Sequence, residues 1–343
     1  MNLARDSAPA TIPTSTQAAL EIHDLTVAFP TQHGVAIVVA GVSLSVAAGE
    51  VKGIVGESGS GKTMLCRAIL GLIPWPGAIV HGEIRWKGQD LVKASGRQLR
   101  RIRGLEVSMI FQDPASALDP VFTIGDQIAE PLRVHRGMSR REAEREAIEL
   151  LGRVGIPSPR ERFHAYPHQL SGGMRQRAMI AIAISCRPEL ILADEPTTSL
   201  DVTIQEQILG LLADLRDELG MSMILVSHDL GVVAQNADSM TVMYAGHTVE
   251  TGPTGALFAG TRHPYTAGLI DALPSIEVRK VRLPLAPIPG QPPALDELPL
   301  GCPFAPRCSH AAARCREVDM SMRLIEGTHT TACPFAEEVM GGS

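Results

Sequence analysis

The stretch VKGIVGESGSGKTMLCRAILGLI, Val51 to Ile73, decides how this chain folds. Its first five residues, VKGIV, are almost continuously apolar, which suits a strand buried on both faces of a parallel sheet. GESGSGKT, Gly56 to Thr63, then matches G-x-x-x-x-G-K-[ST] in full and leads into MLCRAILGLI, a predicted helix, the context the motif requires. The loop Gly56, Glu57, Ser58, Gly59, Ser60, Gly61 lets backbone N–H groups curl around phosphate oxygens. The helix N-terminus adds its partial positive charge. Lys62 reaches the terminal phosphates and Thr63 offers a hydroxyl to Mg2+, so ATP and Mg2+ are the expected ligands.

Two further apolar runs end in chemistry. LILADEP sets Asp194 and Glu195 just past a predicted buried strand, and SMILVSHDL does the same for Ser227 and His228. Asp194 there can hold magnesium, and Glu195 can face an attacking water as general base. Alone, the pair also fits a solvated strand end, and a lone histidine is usually structural. The carboxyl ends of parallel strands share one edge, where ligands bind. Three polar features after three such strands therefore converge on a hydrolytic nucleotide site. Strands alternating with helical patterns give an α/β class with a parallel sheet.

The chain has 343 residues, 45% hydrophobic and 20% charged, with 31 basic against 37 acidic side chains and a net charge of −6. That balance argues against a nucleic-acid partner, although RQLRRIRG (Arg97 to Gly104) is a local basic cluster that also fits a solvated face. No apolar run approaches the roughly 18–20 residues of a membrane span. MNLARDSAPATIPTSTQ has no apolar centre and reads as a flexible tail, residues 1–18, rather than a secretory signal. Residues 19–262 read as one nucleotide-binding domain. Within it, residues 113–170 read as a mainly helical insert, where Ser139 and Glu142 stand at capping-box spacing ahead of Ala147, Leu151 and Val154. From 263 to 343 prolines crowd in, and the chain reads as a separate loop-rich C-terminal region.

HQLSGGMRQRAMIAIAI, from His168, contains LSGGMRQR, which resembles the signature motif of ABC-type ATPases. Locally it is also a capped helix start. With the phosphate loop, the Asp–Glu pair and the histidine in this order, the chain resembles that family from about Leu20 onward. The fold this implies is a P-loop NTPase of the ABC ATPase type, a parallel-sheet core with an antiparallel β subdomain and a helical subdomain. The resemblance makes GESGSGKT the Walker A loop, Glu195 the catalytic base and His228 the switch histidine. Gln112 in IFQDP becomes the Q-loop residue near magnesium, and Asp201 in SLD (Ser199 to Asp201) the D-loop residue. Phe29 in LTVAFP sits where an aromatic would stack on adenine, although one aromatic is usually core. Ser171, Gly172, Gly173 and Gln176 would act on a partner's nucleotide, since two such domains meet head to tail in this family.

Longer strings narrow the resemblance. IFQDPASALDPVFTIGDQIAEPL, MYAGHTVETGP, RHPYTAGLIDALP and IPGQPP running into GCPFAPRC are similar to the oligopeptide/dipeptide (and nickel) importer ATPases of the D type. Asp119 and Ser199 stand where asparagine and alanine are commoner there. The resemblance implies a second, non-identical ATPase chain, two transmembrane permease subunits touched by the helical insert, and a solute-binding protein. The location would be peripheral, on the cytoplasmic face of the inner membrane. Peptides are the default cargo, with nickel, glutathione or another small solute as alternatives. A soluble ABC ATPase of DNA repair or translation is the rival class. Repair versions carry long coiled coils between loop and signature, and no sustained heptads lie between Thr63 and Ser171.

Four of the six cysteines, Cys302, Cys308, Cys315 and Cys333, fall in the last part of the chain with five, six and seventeen residues between them. These gaps exceed those of ordinary structural zinc pairs and suit a 4Fe–4S cluster better, with zinc or another metal, or reduced thiols in a small packed subdomain, as the alternatives. Some members of the resembled group carry such a cluster at these positions. Because the nucleotide machinery is complete before about residue 230, the cysteines read as a staple unconnected to ATP chemistry. Cys66 and Cys186 read as buried cysteines on core helices.

Overall fold

The computed structural model describes residues 18–32, 34–198, 200–273 and 288–337. Residues 1–17 of the expected N-terminal tail, the first five residues of the proline-rich run 283–300, and Ser199 lie outside them. The chain begins with two long strands, β1 (Ala18–Thr31) and β2 (Gly34–Ala47), then β3 (Val51–Val55), α1 (Lys62–Ile69), β4 (Ala78–Trp86), β5 (Gln89–Asp90), α2 (Gly96–Ile102) and β6 (Val107–Ile110). Within residues 113–170 lie α3 (Pro114–Ala117), α4 (Ile124–Arg136), α5 (Arg140–Arg153) and α6 (Pro159–Phe163), and α7 (Gly172–Ile184) follows. The chain then returns through β7 (Leu190–Asp194), α8 (Val202–Leu219), β8 (Ser222–Ser227), α9 (Leu230–Asn236), β9 (Ser239–Tyr244) and β10 (His247–Pro253). It closes with α10 (Thr254–Ala259), α11 (Pro264–Asp271), β11 (Arg323–Glu326) and β12 (His329–Thr331).

Two sheets carry the molecule. The larger is ordered β11-β12-β10-β9-β3-β8-β7-β6, and its five strands from β9 to β6 run parallel. The smaller, β2-β1-β4-β5, is antiparallel. All three apolar runs read from the sequence are strands with every residue buried, as a sheet covered on both faces requires. β6 and β9 belong to the same parallel set, but Ser108 and Thr241 interrupt their apolar runs and hide them from that test.

The parallel sheet separates two cores. On one face Ile191, Ala193, Met223 and Leu225 meet α4, α5, α7 and α8. On the other, Leu190, Leu192, Ile224 and Val226 meet α1 and the antiparallel sheet through Leu65, Ile84 and Trp86. The alternation along β7 and β8 sends successive side chains to opposite cores. α5 starts as expected, with Ser139 Oγ accepting from the Glu142 amide and the Glu142 carboxylate accepting from the Ser139 amide at 2.9 Å. In the basic cluster Arg97, Arg100 and Arg101 are exposed, whereas Arg103 donates to the carbonyls of Leu70 and Gly71.

A third core holds Tyr244, Val249, Leu257, Tyr265 and Phe304. The C-terminal region is thus not a separate body: β12 hydrogen-bonds to β10 and extends the main sheet. Glu250, 0% exposed, sits at the join, its carboxylate accepting from His329 Nε2 at 2.8 Å and from the amides of Arg262 and His263. Cys66 is buried on α1 as expected, while Cys186 is buried in the turn after α7 rather than on the helix. Among the described residues, no helix is long and apolar enough to cross a membrane.

Candidate active site

β3, β8, β7 and β6 are consecutive neighbours and parallel, with Val55 opposite Ser227, Asp194 opposite Val226 and Ile110 opposite Ala193. Their carboxyl ends therefore lie along one edge. Each strand is followed by one functional element: Gly56–Thr63, His228, Asp194–Glu195 and Gln112 respectively. The sheet alone brings together groups more than 170 positions apart in the sequence.

The phosphate loop is tightly fitted. A Cβ on Gly56 would stand 2.1 Å from the Met243 carbonyl, and one on Gly61 2.4 Å from the Val38 carbonyl, so β9 and β2 wall the loop and demand glycine. Gly61 is also the N-cap of α1, with a left-handed φ of 97° and no side-chain cap, so this helix start suits an anion. Lys62 is 4% exposed, and its ammonium donates to the carbonyls of Gly56 (2.7 Å) and Glu57 (2.8 Å) and to Ser60 Oγ (3.3 Å). Burial lowers its pKa, opposed by the carboxylates of Glu195, Asp194 and Glu57.

Thr63 Oγ1 donates to Asp194 Oδ1 at 3.0 Å. Asp194 is 1% exposed, and burial pushes its carboxyl up to about 6; the Glu195 charge adds to this and the Thr63 hydrogen bond opposes it. Both residues line an open cleft with Arg67, Gln112 and Ser116. A hydroxyl and a carboxylate side by side suit magnesium, a hard cation that takes one or two carboxylates and completes its octahedron with phosphates and water.

Glu195 is the centre of the polar cluster. One oxygen, Oε2, accepts from Thr198 Oγ1 (2.7 Å), Gln112 Nε2 (3.1 Å) and His228 Nδ1 (3.1 Å). With the carboxylate as acceptor, Nδ1 is the donor on the His228 ring. Glu195 also has a φ of 47°, unusual for a residue with a side chain and of the kind found at functional sites. Thr198 was not read from the sequence; only its place three residues after Glu195 in a turn hints at it.

The remaining expected residues lie elsewhere. Ser171 caps α7 by accepting from the Met174 amide, and Ser171 and Gly172 are exposed. Gln176, expected to face a partner's nucleotide, is 2% exposed with its Nε2 unpaired, because it points into the helix packing. Asp201 caps α8, its carboxylate accepting from the Ile204 amide at 2.9 Å. Phe29 is half-buried, its ring against Gly77, where a Cβ would meet it at 2.3 Å.

All six cysteines are free thiols. Cys302, Cys308, Cys315 and Cys333 do line one small pocket with Phe304 and Phe335. Yet among the described residues no group of three or more His, Cys, Asp or Glu side chains could hold a metal ion. Burial holds Cys302 up at about 11 and raises Cys308 and Cys333, which favours thiols over the thiolates a cluster needs. The 4Fe–4S expectation therefore does not fit this structure. Other residues of this C-terminal region do touch the phosphate loop. Arg307, next to Cys308, forms a bidentate ion pair with Glu57 of the phosphate loop (2.6 and 3.0 Å), and Tyr265 Oη accepts from the Glu57 amide at 2.9 Å.

Comparison with known proteins agrees with this geometry. Residues 39–198 match the family model described as ABC transporter, and residues 249–315 that described as Oligopeptide/dipeptide transporter, C-terminal region. The chain is 48% identical over 294 residues to the dipeptide transport ATP-binding protein DppD of Escherichia coli (strain K12), covering 86% of this chain and 89% of that protein. It is 49% identical over 324 residues to a protein of Brucella abortus (strain 2308), provisionally named a peptide import ATP-binding protein, covering 94% and 97%. Among solved structures, the ATP-binding cassette MJ0796, in a dimeric post-hydrolysis state bound to ADP and Pi, matches with a TM-score of 0.62 at 28% identity, over 68% of this chain and 98% of its own. Phosphate loop, acidic pair and histidine on one sheet edge, with these matches at both ends of the chain, show that it belongs to the ABC transporter family, as an ATP-hydrolysing subunit of the oligopeptide/dipeptide importer group.

Proposed function

We propose that this chain powers uptake of di- or oligopeptides by hydrolysing ATP at the edge formed by β3, β8, β7 and β6. The observation that carries the reading is the single Glu195 oxygen held by Gln112, Thr198 and His228, beside Lys62 and Thr63. Gly56 to Thr63 bind the phosphates, and Lys62 neutralises the charge that builds on the terminal phosphoryl group. Glu195 orients water and takes its proton, and Gln112 and His228 fix the carboxylate for that task. Thr63 and Asp194, with Gln112 nearby, would hold Mg2+, which when bound would stabilise the negative charge of the phosphates. Phe29 is assigned to the adenine side of the site.

Domain roles follow. Residues 19–262 form the ATPase unit, 113–170 its helical subdomain and 263–343 the importer-type extension. Ser171 and Gly172, exposed at the start of α7, offer an anion-ready helix end to the nucleotide of a second, related ATPase chain. Val121 and Phe122, 71% and 54% exposed at the head of the helical subdomain, give an apolar knob for a permease subunit. The complex then comprises two ATPase chains, two permease subunits and a solute-binding protein, with this chain peripheral on the cytoplasmic face.

Co-purification with two integral membrane proteins, and ATP hydrolysis stimulated by peptide-loaded binding protein, is the expected result. Sedimentation with ribosomes or tight DNA binding would overturn transport. Stimulation by nickel or glutathione instead of peptide would overturn only the cargo.

A further inference from the structure

We propose that Arg307 is a positioning residue for the nucleotide site: with Tyr265, it braces Glu57 and so fixes the phosphate loop from the C-terminal extension. The proposal rests on the reading of Gly56–Thr63 as the phosphate loop.

Arg307 and Glu57 are 250 residues apart in sequence, yet their side chains form a fork-to-fork pair. The Arg307 side chain is 5% exposed. Its five N–H groups meet five contacts: two on the Glu57 carboxylate, one on Tyr244 Oη (3.3 Å), and one each on the carbonyls of Pro289 (2.7 Å) and Ile288 (3.4 Å). The guanidinium lies 5.8 Å from the Tyr244 ring centre and 6.0 Å from that of Phe304, and these rings pack with Tyr265 at 4.7–5.3 Å. A lysine has three donors at a point and cannot reproduce this set.

Glu57 is held on all three of its polar groups. Arg307 takes the carboxylate, the Tyr265 hydroxyl takes the amide N–H, and the carbonyl accepts from Lys62 Nζ. Lys62, the cation that meets phosphate, thus rests on a peptide whose position is set by two residues from beyond position 260. Losing Arg307 has two consequences with the same sign. The Glu57 peptide loosens under Lys62, and an unpaired carboxylate is left at the mouth of a site for polyanions. This gives a physical role to the RHPY and CPFAPRC strings, which no step of hydrolysis uses.

The test is binding of N-methylanthraniloyl-ATP with magnesium to the full-length chain, and KM and kcat in the assembled transporter. Arg307→Ala should weaken nucleotide binding about tenfold and raise KM equally, with kcat at saturation within about twofold. Arg307→Lys should recover part of the loss. Glu57→Gln added to Arg307→Ala should cost no more than the worse single change, as expected for one interacting pair. Lys62→Ala is the control. If it leaves binding intact, the loop reading fails; if it abolishes binding while Arg307→Ala does not weaken it, the brace is wrong. Independent, additive losses for Arg307 and Glu57 would also overturn it. Should Arg307→Ala not fold, Tyr265→Phe decides: a several-fold weaker affinity with an unchanged melting temperature supports the brace, and unchanged affinity rejects it.

Discussion

The nucleotide edge and the C-terminal extension are built on opposite principles. At the edge, each functional element stands at the end of a buried strand or in the loop that follows it, and the parallel sheet does the assembling. Where the extension joins the sheet, short segments with few apolar residues are held by polar side-chain pairs: Glu250 hydrogen-bonded to His329, and Arg307 paired with Glu57. The first region can lose its chemistry and keep its fold. The second cannot lose Glu250 or Arg307 without leaving hydrogen-bonding partners unsatisfied.

The sharpest test of this contrast is Glu195→Gln, which should lower ATP turnover about 10²–10⁴-fold while nucleotide affinity and melting temperature stay unchanged, read by phosphate release and equilibrium binding. Turnover within tenfold of the wild type would break the comparison at the edge. At the join with the extension the same kind of change should act on stability. Glu250→Ala leaves His329 and two backbone amides unpaired and should cost about 3–5 kcal/mol in urea unfolding. A loss below about 1 kcal/mol would mean that β12 is held by its strand pairing alone.

A third test uses pH. His263 is 1% exposed, its Nδ1 accepts from the Tyr265 amide, and burial lowers its pKa from about 6.5 to about 3. The unfolded chain therefore takes up the proton first. The contribution of His263 is complete above about pH 6.5 and is lost as pH falls from there towards about 3, by about 1.4 kcal/mol per unit. Urea midpoints at pH 7, 6 and 5 should show this slope in the wild type and a shallower one in His263→Gln. The smallest expected effect is Ser139→Ala, which removes the α5 cap and should cost about 1 kcal/mol without altering nucleotide affinity.

The edge was legible because its signals are local. A run such as LILAD marks a strand from its own residues, and the loop after it carries its chemistry within two positions. Gly56 and Gly61 were visible as motif letters, although what excludes a side chain there, the carbonyls of Met243 and Val38, is not in the motif. The extension was misread for the converse reason. Cysteine spacing pointed to a cluster, but spacing says nothing about how thiols are set around the Phe304 pocket.

The sequence by itself determined the α/β class, the phosphate loop, the helical insert with its capped α5, and the order of motifs that identifies the family. Each follows from periodicity or from residues adjacent in the chain. Only the tertiary structure decided that Gln112, Thr198 and His228 share one oxygen of Glu195, that Gln176 is buried, and that the C-terminal extension grips Glu57. Those contacts join positions up to 250 residues apart, and their geometry is set by strand order and side-chain packing, which no local pattern encodes.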